Sequence, residues 1–369
     1  MNKKIAVIQA YPAGLNAGML SVDLSLNDIL QPSINKIEVT RFCLEDEVII
    51  HGFSEMLHYH HLTDRNQLNE FDNIIFWGDF PHWLGYAELD LSYRQKKRTN
   101  LNQESVMDSW YKLFLLENRI DLQSKSFIFG TTIYGLSPKN LSNTRYFNAL
   151  QSLYKNSRLI LQRDILSVNF ANQMIGEDRS FLGCDCALLL NTSNWNIESP
   201  EKPYFVTSFG RSGSGILLET ISILISKITG LERINIKWLD TGGIDALHKK
   251  VGLIKKAKFV LTDIYHLSLT AVREKVMVIC FGNGNSRIEN TLSEKKKEIF
   301  FLQSLLSSNY IFIDDVLKSY NSDLEVSRFS KQILNVISDE GLFLTALNLL
   351  DNQLNKTKVK IQSSLFINN

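Results

Sequence analysis

In KFVLTDIYHLSL (Lys258 to Leu269), Thr262, Asp263 and His266 stand just past an apolar, strand-like run, with His266 in the first turn of the next helix. An imidazole exchanges a proton near neutral pH, and an acid three residues earlier can orient it or act as a base. His266 and Asp263 are therefore the candidate catalytic pair. LILQRDILS (Leu159 to Ser167) ends a second such run in Arg163 and Asp164. A guanidinium there suits a phosphate or carboxylate held in a fork, with Asp164 beside it; the alternative is a surface ion pair.

Four further loops are candidates for anion or sugar chemistry. FGRSGSG (Phe209 to Gly215) offers backbone N–H groups, Ser212 and Arg211 ahead of a helix, the physical requirements of an anion site, without the lysine of a P-loop. FGNGNSRIENTL (Phe281 to Leu292) brings Arg287 to the end of another strand, and PAGLNAG (Pro12 to Gly18) places Asn16 and Gly18 before a helix, without the G-x-G-x-x-G spacing. FWGDFPHWLGY (Phe76 to Tyr86) crowds Trp77, Asp79, His82 and Trp83 into one loop; its tryptophans either stack on a sugar ring or anchor the loop in the core. His51, His58, His60 and His61 cluster closely, but no acid or thiol has matching local spacing, so no metal site is expected.

These loops need a scaffold that gathers strand ends. Compact apolar runs in KKIAVIQAY, KIEVTRFCL, FDNIIFWGDF, KSFIFGTTIYGL, SRLILQRD and SFLGCDCALLL alternate with helical or polar sequence. Helix spacing is seen at Met19, Val22, Leu26, Ile29 and Leu30, so the pattern predicts a parallel sheet. The polar stretch NTSNWNIESPEKP carries two prolines and reads as a linker, after which YFVTSFGRSGSG restarts the pattern. The expectation is an α/β chain with two Rossmann-like domains facing a cleft, residues 1–197 and 204–325, and a C-terminal helical segment, 326–369, packing back. The window Ile216 to Leu231 is broken by Glu219 and Lys227, short of the ~20 clean residues of a membrane span, and reads as a buried amphipathic helix.

Composition narrows the function classes. The 369 residues are 44% hydrophobic and 21% charged, which excludes wholesale disorder. Forty Lys and Arg against 39 Asp and Glu leave a net charge of +1, so no basic field is available to hold nucleic acid, and none is expected as a partner. Four cysteines without C-x-x-C pairs, and an apolar N-terminal run shorter than a signal-peptide core, predict a cytoplasmic protein with free thiols. KKVGLIKKAK and SEKKKE offer peripheral contact with an anionic membrane, or are solvated faces.

Taken in order, the segments resemble the polysaccharide pyruvyltransferase family, a GT-B-like group. Its opening strand and N-x-G loop are similar to KIAVIQAYPAGLNAG with Asn16 and Gly18. Its strand ending in Arg-Asp with a downstream Ser looks like LILQRDILS, and its "D-x-A-hydrophobic" strand looks like CDCALLL with Asp185. Its T-D-S-F-H segment is similar to FVLTDIYHLSL, and its later Arg-Ile is similar to SRIENTL with Arg287. FDNIIFWGDF matches a glycine cluster only loosely, WGDF standing in its place, and Ile264 stands where some members carry an arginine.

The resemblance implies transfer of a pyruvyl ketal from phosphoenolpyruvate to hydroxyls of a sugar or lipid-linked glycan. It needs no further cofactor, nucleotide or metal. Arg163, Arg211, Ser212, Arg287, Asn16 and Gly18 would hold the donor. His266 would be the acid and Asp263 its partner or the hydroxyl's base, while Trp77, Asp79, Trp83 and Asp164 face the acceptor. Two alternatives stay open: a glycosyltransferase holding a nucleotide diphosphate at FGRSGSG and a ribose at Glu289, and a non-catalytic glycan-binding relative.

Overall fold

The computed structural model describes residues 2–9, 16–44, 46–52, 55–78, 81–93, 95, 102–133, 143–195, 197–198, 200–211, 215–240, 242–282, 310–312 and 323–366. The chain opens with β1 (Lys3–Ile8), whose last four residues are buried, and α1 (Ala17–Leu30). Asn16 starts α1 by accepting a hydrogen bond from the Met19 N–H at 3.0 Å, the usual remedy for the unpaired amides of a helix start. The first unit continues through β2 (Ile37–Cys43), β3 (Val48–Gly52), β4 (Glu55–His61), β5 (Asn73–Trp77), α2 (Gln103–Leu113), β6 (Ser126–Thr131), α3 (Thr144–Asn156), β7 (Leu159–Gln162), α4 (Ile165–Ile175) and β8 (Ser180–Leu182). Its strands form one sheet in the order β3-β4-β2-β1-β5-β6-β7-β8, parallel except for the antiparallel β3–β4 pair.

The second unit contains β9 (Tyr204–Ser208), α5 (Gly215–Thr229), β10 (Glu232–Asn235), α6 (Gly243–Lys256), β11 (Val260–Thr262), α7 (Tyr265–Arg273), β12 (Val278–Gly282) and β13 (Tyr310–Phe312). Its sheet, β10-β9-β11-β12-β13, is wholly parallel. Near-continuous apolar strands such as NIIFW and VICFG fit sheets covered by helices on both faces. Each sheet reverses its direction of winding at one place, between β1 and β5 in the first and between β9 and β11 in the second. Loops at the carboxyl ends of strands beside such a switch point form the ligand crevice of open α/β sheets. The chain is thus mixed α/β with two Rossmann-like units in a GT-B-like layout.

The tail returns across both units. α8 (Asp323–Ser338) packs on α5, while α9 (Glu340–Phe366) packs on α1. Lys3 Nζ donates to the Leu365 carbonyl at 2.9 Å, and Gln353 Nε2 donates to the carbonyls of Leu182 and Gly183 at 3.0 and 3.1 Å. Ile333, Ile361 and Leu365 are fully buried by this return. Among the described residues no single helix is long and apolar enough to cross a membrane; α8 and α9, bent by 55°, pass that test only together.

The linker is pinned by Trp195, buried beside His248 of α6 with ring centroids 5.2 Å apart. One element departs from the sequence expectation. CDCALLL forms a 3-10 turn over Cys186–Leu189 rather than a strand, because Asp185 accepts the Ala187 N–H at 2.9 Å and starts a helical turn. α5 is the amphipathic helix that the sequence suggests: it buries Leu217, Leu218, Ile221 and Ile225 and leaves Ile216 and Ile223 exposed, so one face is in the core.

Candidate active site

The helices that follow the two switch-point strands meet. α1 leaves the end of β1, α7 leaves the end of β11, and His266 in the first turn of α7 lies against Gly18 in the first turn of α1. A Cβ on Gly18 would come within 2.4 Å of His266 Nδ1, so a glycine is what lets the imidazole reach this position.

The other side of the ring faces an acid of the first unit. His266 Nε2 stands 3.9 Å from Asp185 Oδ2, and the same oxygen accepts from the Tyr265 hydroxyl at 3.1 Å and from Arg163 Nη1 at 3.1 Å. The Arg163 guanidinium also lies 5.0 Å from the Tyr265 ring centroid, close enough for cation–π attraction. Arg163 and Asp185 side chains are only 5% and 2% exposed, whereas His266 keeps 17%. Arg163, just past β7, and Tyr265 and His266 of α7 thereby converge on one oxygen of Asp185. Such a cluster can offset the charge of an imidazolium and let the ring exchange a proton.

The far end of α7 is tied to the same turn. Arg273 Nη1 donates to the Ala187 carbonyl at 2.9 Å, and Arg273 is paired with Glu274 at 2.7 Å. Burial pulls the Arg273 pKa down while Glu274 opposes that shift, and Glu274 accepts from the Thr192 hydroxyl at 2.8 Å. α7 is held at both ends against residues 185–192, which fixes where His266 stands.

Several expected roles need correction. The Asp263 carboxylate accepts from the backbone N–H of Gly210 at 2.9 Å and of Arg211 at 2.9 Å, so it ties the loop after β9 to the end of β11. Asp164 is engaged as a helix cap: it starts α4 by accepting from Ser167 N at 2.8 Å, and it also accepts from the Ser167 and Thr132 hydroxyls at 2.7 and 2.8 Å. Trp77 is a core residue, 1% exposed, donating its indole N–H to the Val22 carbonyl at 2.8 Å. Asn16 is engaged as the α1 cap. Arg163 is neither a surface ion pair nor an unneutralised cation, because Asp185 balances it.

Trp83 is half-buried, its ring against Gly85, and Arg211 is exposed at the end of β9. Ser212, Asp79, Arg287 and Glu289 lie outside the described residues, as does most of the loop after β12. In the WGDF segment Gly78 has φ +71°, and a Cβ there would strike Val22 of α1 at 2.4 Å. The glycine that this backbone requires is therefore present. Sequence reasoning missed Asp185 and Tyr265 as site residues. Their signals were an acid just past β8 and an aromatic residue beside His266, both of which become meaningful only when the two units meet.

Solved structures similar to the chain include a functionally uncharacterised protein of Klebsiella pneumoniae, with 16% identity, coverage of 84% of this chain and 93% of that one, and a TM-score of 0.45. They also include the UDP-GlcNAc 2-epimerase of Neisseria meningitidis bound to UDP-GlcNAc, with 12% identity, coverage of 96% and 100%, and a TM-score of 0.47. The S. aureus protein MnaA with UDP is similar at 11% identity, coverage of 93% and 90%, and a TM-score of 0.47. No curated protein matches the sequence significantly. The family model described as Polysaccharide pyruvyl transferase matches residues 104–285, a span running from α2 to the end of β12 that includes Arg163, Asp185, Tyr265 and His266. That span, just under half of the chain, is what is similar to the polysaccharide pyruvyl transferase family.

Proposed function

We propose that the protein transfers a pyruvyl group from phosphoenolpyruvate to two hydroxyls of a sugar in a surface polysaccharide or its precursor. The observation that carries this reading is the convergence of Arg163, Asp185, Tyr265 and His266 where the two switch points meet, within the span that matches the family.

In this reading His266 donates a proton to the methylene carbon of the enol phosphate, and positive charge develops at the neighbouring carbon. A sugar hydroxyl attacks that carbon and gives up its proton, restoring the acid. The C–O bond to phosphate breaks as a second hydroxyl closes the ketal, so diol plus phosphoenolpyruvate becomes cyclic ketal plus phosphate. Asp185, 3.9 Å from the imidazole, is the carboxylate that offsets its charge when it is protonated, while Tyr265 and Arg163 fix that carboxylate. Arg211 receives the donor's anionic groups, with Asp263 holding its backbone; Arg287 and Ser212 complete the donor set. Trp83, together with Asp79, is the remaining acceptor contact.

The test is incubation with phosphoenolpyruvate and a panel of diol-bearing free, nucleotide-linked and lipid-linked sugars. The expected result is a mass gain of one pyruvate less one water, with one phosphate released per product. Transfer of a glycosyl unit from a nucleotide sugar, with no pyruvylated product, would replace this reading.

A further inference from the structure

We propose that Glu47, His58 and His60 form a divalent-cation site suited to a borderline transition ion such as zinc. This inference is independent of pyruvyl transfer. β4 alternates its side chains about the sheet: Leu57 and Tyr59 are fully buried, while Met56, His58 and His60 point to the other face. His58 and His60 are therefore neighbours on one face, with ring centroids 4.1 Å apart, and His61 belongs to the opposite face.

The third ligand comes from across the hairpin. The antiparallel register pairs Val48 with Tyr59 and Ile49 with His58, so Glu47, one residue before β3, falls opposite His60. The acid that no local spacing supplied is brought by strand pairing over a separation of 11 to 13 residues. Glu47 Oε1 is bonded to His58 Nε2 and lies 4.0 Å from His60 Nδ1. One ligand atom from each of the three residues lies within 4.8 Å of the others. Ligands on a tetrahedral zinc, with bonds of about 2.0–2.1 Å, are about 3.4 Å apart, so side-chain rotations of modest size close the set. His58 and His60 are 30% and 43% exposed, which leaves an open approach and room for a water as fourth ligand. Two imidazoles and one carboxylate favour zinc, copper or nickel over magnesium or calcium, which prefer all-oxygen sets. A bound ion would pin the segment before β3 to β4 at the edge of the first sheet.

The experiment is equilibrium dialysis of the whole chain, stripped with chelator, against zinc, with metal content read by emission spectroscopy and cobalt substitution read by visible absorption. The expected result is one zinc per chain, not displaced by excess magnesium, and a cobalt spectrum without thiolate-to-metal charge transfer. Affinity should fall at least about tenfold in Glu47→Gln and further in His58→Ala with His60→Ala. His51→Ala and His61→Ala should leave it unchanged. All of these positions are at least partly exposed, and melting curves of each variant report whether the fold is retained. No zinc bound by the wild type, or equal zinc bound by the double histidine variant with its fold intact, overturns the proposal.

Discussion

In the first sheet Asp164 follows β7 and turns back on its own helix, accepting from Ser167 N and from the hydroxyls of Ser167 and Thr132. In the second sheet Asp263 follows β11 in the same strand-Asp-Ile-helix context, yet it reaches sideways to the amides of Gly210 and Arg211 on the neighbouring strand's loop. The difference lies in the residue that follows each strand one step earlier in space. β7 ends beside Thr132, whose hydroxyl donates to the carboxylate, whereas β11 ends beside β9, whose loop presents the Gly210 and Arg211 N–H groups to it. Equal sequence grammar thus yields a helix cap in one unit and a loop clamp in the other, and the carboxylate presented to the junction is a third one, Asp185.

The largest expected effect comes from removing that third acid. Asp185→Ala leaves the buried Arg163 guanidinium without its partner, which is expected to cost about 3–5 kcal/mol of stability. Asp185→Asn should fold better and still lose most turnover, because it removes the charge beside His266. Urea unfolding and phosphate release measured together separate the two effects; an Asp185→Asn protein with wild-type turnover would return the role to Asp263.

A second expected effect contrasts His266 with the buried His82. His82 is fully buried against Phe76 and Tyr154, and burial lowers its pKa from 6.5 to about 3. The unfolded chain therefore takes up a proton below pH 6.5 that the folded chain refuses, so stability falls as pH falls from 6.5 toward 3. From pH 7.5 to pH 5 this one group is expected to remove about 2 kcal/mol. His82→Gln should flatten that part of a urea-midpoint profile; an unchanged slope would contradict the assignment.

Gly18→Ala tests the meeting of α1 and α7. With the new methyl 2.4 Å from His266 Nδ1, the imidazole must shift, at an expected cost of about 1–3 kcal/mol and a clear fall in kcat. Wild-type kinetics in this variant would mean that His266 does not depend on the contact. The smallest effect separates the two aspartates themselves. Asp164→Ala should lose about 1–2 kcal/mol as a missing cap and leave the KM for phosphoenolpyruvate unchanged. Asp263→Ala should raise that KM, because it releases the loop that carries Arg211. Equal KM values would erase the functional half of the comparison.

The alternation of apolar runs and helical spacing was enough to read β1, β2, β5, β6, β7, β9, β11 and β12 and the second, parallel unit, because buried parallel strands are continuous stretches of Ile, Val, Leu and Phe. The β3–β4 hairpin was not legible: its outer face carries Ile49, Met56, His58 and His60, so polar and apolar residues mix without a clear period. His266 and Arg163 were legible as candidates because each ends or follows a strand with an ionisable group. Trp77 was read outward because its indole partner, Val22, is 55 residues away and comes to it only by tertiary packing. Asp185 carried its family likeness in CDCALLL, but its partners Arg163, Tyr265 and His266 are 22 to 81 residues distant and belong to both units.

The most direct measurement is a calorimetric titration of the wild-type chain with phosphoenolpyruvate, with UDP-GlcNAc titrated in parallel. The account predicts one phosphoenolpyruvate bound per chain, binding weakened by Arg211→Ala, and no heat from the nucleotide sugar. Saturable binding of UDP-GlcNAc with none of phosphoenolpyruvate would contradict it.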